Sequence, residues 1–357
     1  MKVVHFCQMA PNKSGMYEST KDQIKYERKY GLESEIIDAA SNLNVGKKDG
    51  WLETVSWEKA KDTEIWVNHF GVPPPLLEYI KDENNRKKHI IITNCHGPVE
   101  HMFLKEYGAM MLSNYDLKAF TETHINMVWD YDACVVINQH EYDVSILYDE
   151  HNKLHYIPNS IDLERVDSKA SDWPYVKRPA IVVADYPRFE KTPVHMIWSM
   201  PKVIEKIPSA RLSVLGLPFE NIEFWRNVFH RSKGQNLIMG CIDNLHIKSG
   251  PVIPYMRGAD IMFNSNFSGI LSRVGMEAMA LGVPVVSYNG DYTDYHAKIF
   301  DLDSIAEQVE LCWNDLNNPK KKLREKTRAY AKKHFDREVS VKKYIKLYEK
   351  LKEEKNG

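Results

Sequence analysis

The chain has 357 residues, 43% of them apolar and 11% aromatic, which is enough to fill two ordinary cores, so a fully globular protein is expected. Lys and Arg number 48 against 49 Asp and Glu, leaving no overall field to draw in a polyanion, and any nucleic-acid or membrane contact must be local. The five cysteines, Cys7, Cys95, Cys134, Cys241 and Cys312, form no C-x-x-C pair, which argues against a disulfide framework and a zinc site and fits a reducing compartment.

The N-terminal M-K-V-V-H-F-C enters an apolar strand at once, without the basic region, long apolar stretch and small-residue cleavage site of a signal peptide. No run approaches the roughly 20 apolar residues of a membrane span. A cytoplasmic protein without a transmembrane segment is the expectation, with peripheral membrane contact left open. Short apolar runs alternate with longer amphipathic stretches, the pattern of parallel strands joined by covering helices. Strands are predicted at 3–6, 34–37, 64–67, 89–93 and 133–137, and again at 180–184, 211–215, 261–264 and 284–287. Between the two series, residues 158–178 are rich in Asp, Ser and Pro with little periodicity and read as a linker. From about 337 to 352, Val341, Tyr344, Ile345, Tyr348 and Leu351 form a helical stripe that needs a surface to cover. The predicted fold class is α/β, with two doubly wound domains and ligands beyond the carboxyl ends of their strands.

The most informative segment is 268–287, S-G-I-L-S-R-V-G-M-E-A-M-A-L-G-V-P-V-V-S, in which a loop feeds a helix that ends at Gly282 and passes into a buried strand. Ser272 is a good N-cap, and the open amides of the first turn with the helix dipole make an anion site suited to a diphosphate. Glu277 lies about one turn in, where a fixed carboxylate accepts hydrogen bonds from sugar or ribose hydroxyls.

The run E-A-M-A-L-G-V-P-V-V resembles the signature of the GT4-like retaining glycosyltransferases of the GT-B fold. I-P-N-S-I-D at 157–162 is similar to that family's interdomain N-G-x-D turn, with Ser160 in place of Gly, and G-A-D-I-M-F at 258–263 resembles the strand before the donor loop. The resemblance covers the C-terminal half well and the N-terminal half in outline. It implies two Rossmann-like domains facing a central cleft: 1–160 on the acceptor side, 161–336 binding the nucleotide sugar, and 337–357 as a helix packing back on the first domain.

The resemblance assigns Glu277 to the nucleotide ribose. A Glu usually opens the donor loop eight residues earlier; here Gly269 stands there, and backbone amides of Ile270, Leu271, Ser272 and Arg273 are expected to hold sugar and phosphate instead. Lys191, and Arg188 three residues before it, fall where the family binds the donor diphosphate, and fixed cations there would stabilise the charge that develops on the leaving group. His96, in I-I-I-T-N-C-H-G-P, resembles the strand-end His-Gly that lies against the donor sugar, and His69, ending the preceding strand, is a second candidate for lining the cleft. Gly15 falls where the family has a Gly-rich loop near the phosphates. The D-x-D triplets at Asp130–Asp132 and Asp301–Asp303 lack neighbouring ligands, so no metal and no cofactor is expected beyond a nucleotide-sugar cosubstrate, with UDP-sugar, UDP-glucose among them, the first choice.

The implied reaction is retaining transfer of a hexose to a hydroxyl on a glycan, lipid or small molecule. Transfer to hydroxymethylated bases in DNA, and a non-catalytic sugar-nucleotide or glycan-binding protein, stay open as alternatives. The 320–337 stretch, with nine Lys or Arg against two acids, reads either as a solvated helix face or as a contact for anionic lipid or nucleic-acid phosphate.

Overall fold

The computed structural model describes residues 1–8, 15–69, 72–95, 131–137, 139, 142–143, 152–167, 175, 177–184, 194–215, 245–247, 252–267 and 270–357. The chain divides into two compact units, Met1–Ser160 together with Arg337–Gly357, and Ile161–Asp336.

The first unit contains strands Lys2–Cys7 (β1), Glu33–Asp38 (β2), Lys48–Asp49 (β3), Leu52–Glu53 (β4), Ile65–Asn68 (β5), Ile90–Cys95 (β6), Ala133–Val136 (β7) and Leu154–Tyr156 (β8). Six of them form a parallel sheet in the order β2-β1-β5-β6-β7-β8, while β3 and β4 make a small antiparallel pair. A parallel sheet covered on both faces needs apolar side chains in both directions, so its strands read as continuous apolar runs. Val3, Ile65, Val67 and Ile92 meet one layer, and Val4, Phe6, Trp66 and Ile91 meet the other.

One of those layers is the C-terminal helix, Arg337–Asn356, which buries Val341, Tyr344, Leu347, Tyr348 and Leu351, with Ile345 partly buried beside them. Asn94 Nδ2 at the end of β6 donates to Tyr344 Oη at 2.7 Å. Arg337, 3% exposed, opens the helix and donates to Ser19 Oγ at 2.6 Å and to the Ser160 carbonyl.

Glu27, fully buried on the Gly15–Lys29 helix, binds several elements of this unit together. Its Oε1 accepts from Gln23 Nε2 at 2.9 Å and Tyr348 Oη at 2.8 Å, and its Oε2 from Ser34 Oγ at 2.5 Å and His5 Nε2 at 2.8 Å. Burial pushes the Glu27 carboxyl upward, but attraction from His5 and the hydrogen bonds of His5, Ser34 and Gln23 outweigh it and hold the group below its ordinary value.

The second unit has a parallel sheet of five described strands, Ala180–Val183 (β9), Arg211–Val214 (β10), Leu245–Ile247 (β11), Ile261–Asn264 (β12) and Val285–Ser287 (β13), in the order β11-β10-β9-β12-β13. Ile181, Val183, Phe263 and Val286 pack against helices Val194–Lys206 and Leu302–Leu316. Val182, Met262 and Val285 pack against Ile253–Gly258 and Arg273–Ala280 on the other face. The stretch expected to be a linker differs from its reading: it contains the helix Leu163–Asp167, whose start is fixed by Asp162 Oδ1 accepting from the amides of Glu164 (3.1 Å) and Arg165 (3.3 Å). Such Asp-led turns satisfy the first free amides of a helix too short to show periodicity.

Truncating Tyr348 to alanine removes a fully buried ring and a partner of Glu27. A loss of about 3–5 kcal/mol is expected in denaturant unfolding, against less than about 0.5 kcal/mol for alanine at half-exposed Val339. A folded-state value below the ordinary 4.5 means that the stabilisation from ionised Glu27 is complete above about pH 4.5 and is lost as pH falls through the lower folded value. Glu27→Gln should flatten the acid side of the stability-pH curve, and an unchanged slope there would show that Glu27 does not drive it.

Candidate functional site

In the second unit, the chain leaving β12 at its carboxyl end runs through Ser265, Asn266 and Phe267 and returns at Ile270 to start the Arg273–Ala280 helix. Two devices fix this return. Asn264 Nδ2 lies 3.2 Å from the Ile270 carbonyl, 2.8 Å from Tyr292 Oη and 3.3 Å from Ser287 Oγ, which is itself 2.7 Å from Tyr292 Oη. Asn264 and Ser287 are register partners on β12 and β13, so the sheet itself carries the anchor. The second device is the cap: Ser272 is extended (φ −64°, ψ 156°), and its Oγ accepts from the Gly275 amide at 3.2 Å. The amides of the first turn then point beyond the strand ends, where the helix dipole favours an anion.

Gly275 lets Leu271 fold over this first turn, since a Cβ at Gly275 would stand 2.4 Å from Leu271 Cδ1. The helix closes as its sequence predicts. Gly282 takes φ +78°, and its amide donates to Met279 O at 2.9 Å and the Val283 amide to Ala278 O at 2.9 Å.

Glu277 sits one turn in and is 5% exposed. Two guanidinium groups meet it, Arg273 Nε at 3.2 Å from its own helix and Arg165 Nη2 from the Leu163–Asp167 helix, and both contact Oε1. Arg165 escaped the sequence reading. Asp162 ahead of Leu-Glu-Arg-Val signals a helix start, but nothing local pairs a residue with one 112 positions away.

Of the other sequence candidates, His96, Arg188, Lys191 and Gly269 lie outside the described residues. Gly15 is the first residue of the Gly15–Lys29 helix, where a Cβ would meet no atom within 4 Å. His69 follows β5 in the first unit and is 6% exposed. Its Nε2 lies 2.9 Å from His5 Nδ1 with the rings stacked, which joins it to the His5–Glu27 pair.

Among the described residues, no group of three or more His, Cys, Asp or Glu is placed to hold a metal ion. The Asp-x-Asp acids within the described residues have structural partners. Asp301 caps the Leu302–Leu316 helix through Ser304 N at 2.9 Å, Asp303 pairs with Lys202 at 3.3 Å, and Asp132 accepts from Ile91 N at 2.6 Å and pairs with Arg86. The 320–337 stretch contains the Leu323–His334 helix, where Arg324 Nη2 donates to Asp260 Oδ1 at 2.8 Å and Arg328 Nη2 to Asp167 Oδ1 at 2.6 Å. Among the described residues, no helix is long and apolar enough to cross a membrane.

Replacing Ser272 by alanine is expected to lower stability by about 1 kcal/mol in denaturant unfolding, with Ser272→Asp restoring most of the loss through the same cap. Equal stability of Ser272→Ala and the parent protein would remove the capping role.

No protein-family model matches the sequence, and no curated protein sequence matches it. Solved structures do. A glycosyltransferase from Rickettsia africae superposes with a TM-score of 0.68 at 15% identity, over 98% of each chain. Anabaena HepE in complex with UDP gives 0.69 at 11% identity, over 98% of this chain and 100% of that one. The pneumococcal O-GlcNAc transferase GtfA, in complex with UDP and GlcNAc, gives 0.67 at 11% identity, over 98% and 99%. At such identities the likeness is one of fold, and with two parallel-sheet α/β units matched along nearly its whole length, the chain has the GT-B fold of glycosyltransferases.

Proposed function

We propose that this protein is a retaining, metal-independent glycosyltransferase that moves a hexose from a UDP-sugar to a hydroxyl acceptor on a glycan, lipid or small molecule. The observation that carries the reading is the start of the Arg273–Ala280 helix, where a capped, dipole-bearing turn at the carboxyl end of a parallel sheet has a buried acid, Glu277, one turn behind it. Amides and dipole suit a diphosphate, and a fixed carboxylate suits hydroxyls; a nucleoside diphosphate presents both. HepE and GtfA, each seen with UDP, support uridine as the base.

In this reading the acceptor oxygen attacks the anomeric carbon on the face that the diphosphate leaves. The carbon–oxygen bond to the β-phosphate breaks with its electron pair remaining on that phosphate, and the acceptor proton passes to the same phosphate oxygen. No side-chain base is then needed. The protein's share is electrostatic: the helix start, Arg188 and Lys191 hold the charge that grows on the leaving group, and His96 contacts the sugar.

A release assay for free nucleoside diphosphate over UDP-, GDP- and ADP-sugars tests this. UDP-sugar-dependent release that survives EDTA is expected, and Lys191→Ala should lower turnover by about 10²–10³-fold with its circular dichroism unchanged. Silence with every donor, together with no calorimetric binding of UDP, would overturn the reading. Including hydroxymethylated duplex DNA among the acceptors assigns the acceptor class, because release that depends on DNA and falls steeply with salt would place the acceptor in nucleic acid.

A further inference from the structure

Glu277 receives both of its arginines on one oxygen. Arg273 Nε and Arg165 Nη2 each contact Oε1, and among the described residues Oε2 accepts no hydrogen bond. The Glu277 side chain is 6% exposed, and an ionised carboxylate so placed has acceptor capacity at both oxygens. Had the pair with Arg165 served only to tie two helices together, a two-point contact using both oxygens would be the stronger arrangement, since guanidinium and carboxylate match as a fork. The contact instead loads one oxygen twice and leaves the other to a further donor.

Arg273 by itself would hold the carboxylate poorly. It lies four residues before Glu277 on the same helix, and a basic residue N-terminal to an acid is the weaker order for such a pair. Arg165 approaches from a different element, on a helix whose start is fixed by Asp162. Contacts from two elements define where the carboxylate points.

Resting on the donor site proposed above, we infer that Arg165 is a positioning residue of the nucleotide subsite, which with Arg273 holds Oε1 of Glu277 and thereby presents Oε2 to the ribose hydroxyls of a nucleoside diphosphate. Arg165 acts through Glu277. Its removal therefore affects the reading of the ribose more than the binding of phosphate.

The test is calorimetric titration of UDP and 2′-deoxy-UDP into the full-length protein and its Arg165→Ala, Arg165→Lys and Glu277→Gln variants. The parent protein should prefer UDP by about tenfold, the size of one hydrogen bond to a charged group. Arg165→Ala should bring that preference down to within about threefold of unity, as should Glu277→Gln, with the double variant no worse than either because the two act as one unit. Arg165→Lys, which restores a charged donor, should recover part of the preference. If Arg165→Ala is not folded by circular dichroism, Arg165→Lys decides: a preference intermediate between those of the parent and Glu277→Gln supports the role, and a preference equal to the parent's counts against it. Loss of UDP affinity in Arg165→Ala with an unchanged preference would overturn the inference, leaving Arg165 a source of charge or a strut. A parent protein that binds UDP without any preference would overturn it at Glu277, whereas one that binds neither nucleotide would overturn the donor site on which it rests.

Discussion

A parallel sheet with helices on both faces has only its strand ends free to meet a ligand, and in the second unit that constraint governs where the candidate site lies. Ile181 and Val183 point into one layer and Val182 into the other, so neither face has room for a substrate. The helix that starts at the carboxyl end of β12 must still cover the sheet, and Gly275 through Ala280 are all buried in doing so. Glu277 is carried inward with them. A carboxylate placed there needs partners, and the fold supplies them in Arg273 and Arg165. The same packing that seals the core thus buries an acid one turn behind a capped helix start and sets two guanidinium groups against it.

Two glutamates buried among the described residues, Glu27 and Glu277, differ in how they use their oxygens. Glu27 spends both oxygens on protein donors, two on each, and nothing further is asked of it. Among the described residues, Glu277 gives one oxygen to the protein. Burial is alike in the two cases; what distinguishes them is acceptor capacity left over after folding.

How much of this was legible varied with the length of the signal. The central strands announced themselves as apolar runs because both their faces are buried, and β12 took the bounds read for it, Ile261–Asn264. β8, β11 and the β3–β4 pair escaped notice, since two or three residues such as Leu154–Tyr156 or Leu245–Ile247 carry no pattern above that of a loop. The C-terminal helix was clear from its stripe, although Leu347 was missed as a core residue. At the site, Ser272, Arg273 and Glu277 could be read because caps and helix spacing are local. Arg165 could not, because its helix is a single short turn and its partner comes from a contact that only folding creates. The Asp-x-Asp at 301–303 illustrates the converse: a motif that looks like a metal site is accounted for by a helix cap and a surface ion pair.

The first unit is discontinuous, closing only when Arg337–Gly357 returns to it after the whole of Ile161–Asp336 has been made. During synthesis, the sheet that begins at Lys2 therefore waits for Tyr344, Tyr348 and Leu351 to cover its apolar face, while the second unit already has all of its own sequence. The first unit thus begins before the inserted unit is made and is completed after it. Because the Arg337 guanidinium holds the Ser160 carbonyl, the two ends that flank the inserted unit are neighbours within the first. Removing the last twenty residues would open a core, whereas excising residues 161–336 and joining the flanking ends would leave that core's sequence intact.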